Sequence, residues 1–359
     1  MKHPPVQYHS YLRLDSLLGS QSRRSAELGN PIHDEWLFIT IHQAYELWFK
    51  QIVIELDSVI EMFSADTVPE NRMRLISERM ERINEIAKLM IHQVDVLETL
   101  TPLDFLEFRD YLFPASGFQS FQFRMIETKL GLKEKDRLKF MEAPFYKSLT
   151  EPQQKIIIET LDKPSLLTLL EKWLERTPVV TTPMFDFIEN YKRILQENHK
   201  SDLAIVQMNP RLTPEEKAKH TAGLQTHFDT LFSLFDEQKY ENLKAQGIFK
   251  VSRNAMIAAL MIQLYRDEPL FQWPYRLMSS LLDLDEGFTQ WRYRHALMAH
   301  RMLGFKIGTG GSKGHEYLRN ATEAHKIFTD FFNLSSFLVP RSQLPPLPEV
   351  LKKRMNYGG

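Results

Sequence analysis

The chain has 359 residues, and 43% of them are hydrophobic, which is enough to build a sizeable core in one large domain or two. Its 45 basic and 46 acidic residues are intermixed and leave a net charge of −1, which argues against a nucleic-acid or acidic-lipid surface. It contains no cysteine, which excludes disulfides and thiolate ligands and suits a reducing compartment. No signal-peptide core is present, and the longest apolar run, 255–262, is too short to span a bilayer. The sequence therefore predicts a soluble cytoplasmic protein with no membrane partner.

Residues 1–29 form an N-terminal arm that is too short to fold alone. The arm carries Tyr8, Tyr11 and Leu12, whose large side chains need a surface to pack against. We therefore expect the arm to dock on its own body or on a neighbouring subunit.

A first long helix is predicted from residue 30 to about Phe63. Asn30 is a suitable N-cap and Pro31 a suitable first residue. Within this helix one histidine interrupts an apolar stripe whose spacing alternates between four and three: Phe38, His42, Tyr45, Phe49, Ile52 and Leu56. Residues 70–98 predict a second amphipathic helix.

An aromatic-rich segment follows at 101–131. A short helix is expected from Asp104 to Leu112, stopping before Pro114, with helix resuming from Phe118 to Leu130. Two arginines, Arg109 and Arg124, lie among its phenylalanines. Each could be a surface charge or ion-pair partner, or a bidentate clamp for a substrate carboxylate. Spacing alone does not decide between these interpretations.

The remaining regions fix the fold class. Residues 131–250 predict a charged, helical accessory region, and 342–359 a Pro-rich tail. With no β-rich alternating run or hairpin signal, the prediction is an all-α helical bundle, with 30–341 as a single domain.

A second histidine-bearing stripe lies in the segment 284–314. His295 interrupts an apolar pattern with spacings of four and three: Leu284, Phe288, Trp291, His295, Met298 and Met302. A glycine cluster then ends the helix: Gly304, Gly308, Gly310, Gly311 and Gly314. A further helix is expected from Tyr317 to Asn333.

The two histidines allow two interpretations. Each of them could be a hydrogen-bonded core residue. Alternatively, two imidazoles on two core stripes flanked by aromatic rings could hold a flat aromatic cofactor between helices. Haem with one imidazole on its iron fits this pattern best.

Four segments in order carry a resemblance to a known family. They read YHSYLRLDSLL, HDEWLFITIHQAYELWFKQI, FRDYLFPASGFQSFQFR, and WRYRHALMAHRMLGFKIGTGGSKGHEYLR with FFNLSSFLVPR, and they extend from Tyr8 to Arg341. Together they resemble the tryptophan 2,3-dioxygenase family. The resemblance implies the helical indoleamine/tryptophan dioxygenase fold, with haem b held between core helices in each subunit and O2 as co-substrate.

The resemblance also implies roles for individual residues. His295 matches the axial ligand of the haem iron, His42 the residue that hydrogen-bonds the indole N–H, and Arg109 the clamp on the substrate carboxylate. Pocket and substrate contacts are implied for Phe38, Phe105, Ser116, Gly117 and Thr309, and for the arm residues Tyr8, Tyr11 and Leu12, which would reach a neighbouring subunit's site. Phe105 stands where some bacterial members have tyrosine, so one hydrogen bond to the carboxylate is expected to be absent.

The implied activity is insertion of both oxygen atoms into the indole C2–C3 bond of L-tryptophan, giving N-formyl-L-kynurenine in the kynurenine pathway. The implied assembly is a homotetramer built as a dimer of dimers. Two alternatives stay open: a haem oxygenase of the same fold acting on another indole or phenol, and a helical haem carrier in which His42 and His295 both bind iron. The glycine-rich loop is expected to be mobile and to close over bound tryptophan through Thr309.

Overall fold

A computed structural model describes residues 3–138, 144–177, 181–182, 185–304, 306 and 314–349. This part of the chain is almost entirely helical, which confirms the all-α class. Its α-helices are α1 (Tyr8–Leu12), α2 (Leu14–Leu18), α3 (Arg24–Glu27), α4 (Glu35–Phe63), α5 (Glu70–Leu97), α6 (Pro102–Arg109), α7 (Phe121–Leu130), α8 (Glu151–Leu161), α9 (Leu166–Glu175), α10 (Phe187–Met208), α11 (Pro214–Phe232), α12 (Glu237–Ala245), α13 (Arg253–Leu264), α14 (Pro269–Leu303), α15 (Gly314–Ala324) and α16 (Thr329–Asn333).

Shorter elements connect these helices. Short 3-10 helices cover Asp110–Leu112, Gly117–Gln119, Glu134–Asp136, Phe145–Ser148, Ser233–Phe235, Leu334–Phe337 and Arg341–Gln343. In the described ranges the only strands are β1 (Thr181–Thr182) and β2 (Phe185–Asp186), which pair antiparallel. No helix in the part of the chain that the structure describes is long and apolar enough to cross a membrane.

The chain forms two compact units. Unit 1 comprises Met1–Asp57, Arg82–Lys163 and Leu284–Lys326, and unit 2 comprises Ser58–Glu81, Pro164–Asp283 and Ile327–Gly359. Every site residue predicted from the sequence falls within the ranges of unit 1.

The core of unit 1 is built from the stripes that the sequence predicts. On α4, the side chains of Ile52 and Leu56 are completely buried. On α14, Leu284 and Phe288 are buried as well. Gly287 allows α14 to approach α5 closely, because an added Cβ there would lie 3.2 Å from the Cβ of Ala87. This packing fixes the helix that carries His295.

Unit 2 has an aromatic core of its own. The rings of Tyr240 and Phe249 stack with centroids 4.6 Å apart, and Tyr240 donates a hydrogen bond to the carbonyl of Val251. The buried carboxylate of Asp330 accepts hydrogen bonds from the backbone N–H groups of Lys250 and Val251. These contacts join α12, the turn before α13, and α16.

The predicted start of the first long helix is wrong. Helix α4 begins at Glu35, not at Pro31, so Asn30 is not its N-cap; the Asn30 side chain donates instead to the Tyr111 hydroxyl at 3.1 Å. The buried carboxylate of Glu35 instead accepts the backbone N–H groups of Arg24 at 2.7 Å and Ser25 at 3.0 Å. A contact to the start of α3 therefore outweighs the local capping signal.

Two other helix boundaries also need correction. The aromatic segment folds as α6, which is capped by Thr101, followed by α7, which begins at Phe121 with Ser120 as N-cap. The helix predicted from Tyr317 to Asn333 is interrupted between Ala324 and Thr329. His325 lies buried in this break and is bonded through both ring nitrogens, which ties the chain down at that point.

Candidate active site

His42 lies on α4 beside Phe38, with ring centroids 4.0 Å apart. Its Nδ1 is 2.6 Å from the carbonyl oxygen of Phe38. Because a carbonyl can only accept, Nδ1 carries the proton, and Nε2 of the neutral ring keeps its lone pair. The residue retains exposed surface, yet burial among protein atoms lowers the pKa of its imidazole, so the ring is neutral at pH 7.

His295 lies on α14 with its ring stacked on that of Trp291, with centroids 6.1 Å apart and an angle of 9° between the planes. Burial, together with a smaller effect of the nearby His42, lowers the pKa of His295 to about 4. No hydrogen bond to this ring occurs within the described part of the chain. A neutral imidazole with a lone pair to offer is the form that binds a metal ion, so His295 fits an axial haem ligand.

Aromatic rings from three helices form a wall beside His295. The ring of Trp291 lies 5.9 Å from Tyr45, 5.8 Å from Phe49 and 5.1 Å from Phe123. These contacts bring α4, α7 and α14 together. The sequence placed the two histidine stripes on core helices, and the structure shows that the stripes face each other.

Helix α6 contributes a second group of aromatic rings, which pack beside Phe38. Phe105 lies 5.9 Å from Phe38, and the buried Phe108 contacts both rings, at 5.6 Å from Phe38 and 5.4 Å from Phe105. Arg109, half-buried, is the last residue of α6 and lies one turn after Phe105 on the same helix face. Arg109 therefore lies on the face of α6 that carries Phe105, whose ring is 5.9 Å from Phe38.

Ser116 and Gly117 follow α6 in an irregular segment. The Ser116 hydroxyl accepts from the backbone N–H of Phe118 at 3.3 Å and caps the 3-10 helix Gly117–Gln119. A Cβ added at Gly117 would meet no atom within 4 Å, so the space beside this backbone is open. An open approach to the backbone is what contact with a bound ligand requires.

The arm residues do not reach this pocket within the chain. Tyr8, Tyr11 and Leu12 on α1 are exposed at 75%, 73% and 40% of their surface. The arm is attached to α4 only from residue 20 onward, where Gln43 donates to the carbonyl of Ser20 and accepts from Gln21. Thr309 and the glycine-rich loop, residues 307–313, lie outside the described residues.

A buried charge cluster around Glu127 was missed by the sequence analysis. The Glu127 carboxylate accepts hydrogen bonds from Arg124, Arg137 and Arg292 at 2.8, 2.6 and 3.1 Å. Arg124 is therefore a buried ion-pair partner, which is the first of the two interpretations that its sequence left open. The signal available was weak: Arg124 and Glu127 are three residues apart on α7, and Arg292 lies beside the α14 stripe.

Comparison with known proteins decides the family. The family model described as tryptophan 2,3-dioxygenase matches residues 2–338. The chain belongs to the tryptophan 2,3-dioxygenase family. Its relatives include the tryptophan 2,3-dioxygenase of Bdellovibrio bacteriovorus, 56% identical over 99% of both chains. The protein of that name from Alteromonas mediterranea is 44% identical over 98% of both chains, and that from Xenopus laevis is 43% identical over 96% of this chain and 85% of its own. Membership of this family confirms the resemblance seen in the sequence.

Proposed function

We propose that this chain is a haem-dependent dioxygenase that inserts both atoms of O2 into the indole C2–C3 bond of L-tryptophan. The product is N-formyl-L-kynurenine, the first intermediate of tryptophan degradation by the kynurenine pathway. The observation that carries the proposal is the proximity of two neutral imidazoles, each against an aromatic ring, in a chain whose relatives are named tryptophan 2,3-dioxygenase.

We assign His295 as the axial ligand of the haem iron. Support comes from its low pKa, which keeps the ring neutral, and from its stacking on Trp291, which fixes the ring plane. One haem b per subunit, when bound, supplies a ferrous iron that activates O2.

We assign His42 to substrate orientation. Since its Nδ1–H is committed to the Phe38 carbonyl, Nε2 is available to accept a hydrogen bond from the indole N–H. Indole N–H is a very weak acid, so this role is orientation and hydrogen bonding, with no obligatory removal of the proton.

The other pocket residues hold the remaining parts of the substrate. Phe38 and Phe105 would flank the flat indole ring, while Arg109 would bind the carboxylate through two parallel hydrogen bonds. Ser116 and Gly117 would line the pocket around the indole and the haem, and Thr309 would contact the ammonium and carboxylate of the amino acid. Fixing both ends of tryptophan holds the indole in a reactive pose and keeps water out.

Product identification tests the proposal. The haem-loaded, reduced protein should convert L-tryptophan and O2 into N-formyl-L-kynurenine, identified by mass and by its absorbance. Formation of a hydroxylated indole would indicate the related haem oxygenase, and a haem protein that leaves tryptophan unchanged would contradict the proposed function.

We further propose a homotetramer, a dimer of dimers, in which the arm of one subunit completes the site of its neighbour. The exposed Tyr8, Tyr11 and Leu12 support this, because large apolar side chains need a packing partner. We keep residues 30–341 as the catalytic domain with 131–250 as its accessory region and 342–359 as a tail, and we place the protein in the cytoplasm.

Mixing two defective variants tests whether the arm acts in trans. A Tyr8→Ala/Tyr11→Ala double variant should lose activity but keep haem. Co-expressed with an Arg109→Leu subunit, it should regain activity, because a mixed oligomer contains sites with both an intact clamp and an intact arm. The control is Ile205→Ala/Met208→Ala on α10, which removes exposed apolar side chains elsewhere. A catalytically competent monomer in light scattering would contradict the assembly.

A further inference from the structure

We propose that the buried charge cluster around Glu127 sets the reduction potential of the haem by holding two net positive charges behind the aromatic wall. The cluster consists of Arg124, Glu127, Arg137, Arg292 and His325. This inference rests on the function proposed above, and it assigns an electrostatic role to residues that contact neither substrate nor haem in that proposal.

The cluster is formed by residues that are far apart in the sequence. Arg124 and Glu127 lie on α7, Arg292 on α14, Arg137 after the 3-10 helix Glu134–Asp136, and His325 after α15. Each arginine donates to Glu127, and each is at least nine-tenths buried. The Nε atoms of Arg124 and Arg137 are buried without a hydrogen-bond partner. Solvent therefore does little to screen these charges.

The net charge of the cluster follows from its hydrogen bonds. The arginines hold the pKa of the Glu127 carboxyl well below its usual range, so the cluster contains three positive charges and one negative charge. His325 adds none: its Nε2 accepts from the backbone N–H of Leu138 at 3.1 Å, so the proton lies on Nδ1, which donates to Glu127 at 3.3 Å.

In the described part of the chain, one carboxylate besides Glu127 acts on Arg137. Glu134 interacts electrostatically with Arg137 but is exposed, so water screens it. Across the described residues, Glu127 is the only carboxylate that hydrogen-bonds to the three arginines. The hydrogen-bonded cluster, as the described residues form it, therefore carries an excess of two positive charges.

The cluster lies directly behind the wall that holds His295. The guanidinium of Arg292 is 5.6 Å from the centroid of Phe123, whose ring is 5.1 Å from Trp291, on which His295 stacks. Arg292 also precedes His295 by three residues, so the two side chains are neighbours on α14. The contacts that link Arg292 to His295 in this series are made by aromatic rings, which screen charge poorly compared with water.

A fixed positive charge favours the less positive state of a nearby redox centre. Ferrous haem carries one positive charge fewer than ferric haem, so the cluster stabilises the ferrous form that binds O2 and raises the reduction potential. The same field strengthens the binding of an anion to ferric haem.

Three variants of the holoprotein test the sign of the effect. Arg292→Gln removes a positive charge and should lower the reduction potential measured by spectroelectrochemistry, whereas Glu127→Gln removes the negative charge and should raise it. Arg292→Lys keeps the charge and should leave the potential near that of the unchanged protein. The affinity of ferric haem for azide should follow the same order, weaker in Arg292→Gln and tighter in Glu127→Gln.

The opposite signs separate electrostatics from loosened packing. Water entry caused by a disturbed core would shift the potential of Arg292→Gln and Glu127→Gln in the same direction, and that result would overturn the inference. Arg294→Gln is the matched control: this arginine is also on α14, but it is partly exposed and pairs with Asp95 and Glu98, so its removal should change the potential less. An equal shift in Arg294→Gln would contradict the role of burial.

Two further measurements keep the test decisive. If Glu127→Gln does not retain haem, Arg137→Gln and Arg137→Lys repeat the comparison, and the potential must fall only in the glutamine variant. Haem content and product formation by the unchanged protein are measured first. If the unchanged protein binds no haem or forms no product, the proposed function is rejected. An unshifted potential in a haem-loaded, active Arg292→Gln variant rejects only this inference.

Discussion

His295→Ala is expected to abolish stable haem retention, which makes it the most damaging single change to the proposed site. The half-buried imidazole is neutral because its pKa is lowered to about 4, and no other histidine on α14 interrupts the apolar stripe. Alanine removes the iron ligand and leaves only apolar contacts to hold the porphyrin. The measurement is haem content per chain after purification, with the helix content checked by circular dichroism.

His42→Ala provides the informative comparison. This variant should keep haem and lose only part of the activity, because His42 is assigned to orientation of the substrate. Adding free imidazole to His295→Ala should restore haem binding, and His92→Ala, which changes an exposed histidine, should behave like the unchanged protein. Equal haem loss in both the His42 and His295 variants would point instead to the carrier with two histidine ligands.

Arg109→Leu is expected to raise the KM for L-tryptophan steeply. Removing the charged partner of a buried carboxylate costs about 2–5 kcal/mol of binding free energy, which corresponds to an increase in KM of roughly 30-fold or more. Haem content and the absorption spectrum should not change, because Arg109 lies on α6 and not on the helix that carries His295. Arg109→Lys should recover only part of the affinity, since an ammonium group cannot form the two parallel bonds of a guanidinium.

Tryptamine provides the second half of this test. It lacks the carboxylate, so it should be a poor substrate for the unchanged protein. In Arg109→Leu the difference in turnover between tryptophan and tryptamine should largely disappear, because the enzyme then has no clamp for the carboxylate that distinguishes the two molecules. If the unchanged protein turned over tryptamine as well as tryptophan, Arg109 would have no role as a clamp.

Periodicity was sufficient to predict the part of the site that lies on long helices. The spacing of four and three residues around His42 and His295 identified two core stripes, and α4 and α14 carry those stripes as predicted. A histidine in such a stripe is visible without knowledge of the fold, because periodicity reports which face is buried. What periodicity could not reveal was that the two stripes face each other.

Contacts between distant segments account for what the sequence analysis missed. Glu127 joins residues that lie between 3 and 198 positions away along the chain, so no local pattern marks it as the centre of a cluster. The prediction of where α4 begins was wrong for the same reason, because the Glu35 carboxylate accepts a hydrogen bond from the backbone N–H of Ser25 in the arm. Local capping signals at Asn30 were genuine preferences that a longer-range contact outweighed.

The role of the arm could be anticipated only as a need for a partner. Its exposed aromatic side chains were apparent from composition, and the structure of the single chain leaves them exposed. Thr309 and the closure of its loop remain predictions, because residues 307–313 are outside the described residues. Hydrogen exchange on 305–314 with and without L-tryptophan tests the loop directly, and unchanged protection at saturating substrate would reject a lid.

Isotope labelling tests the central claim most directly. The reduced, haem-loaded protein is supplied with L-tryptophan and an equal mixture of unlabelled O2 and 18O2, and the mass of N-formyl-L-kynurenine is measured at once. A parallel reaction in labelled water corrects for exchange. Insertion of both atoms of one O2 molecule predicts product with either no label or two labels. A predominance of singly labelled product would show that the two oxygens come from different molecules and would contradict a dioxygenase.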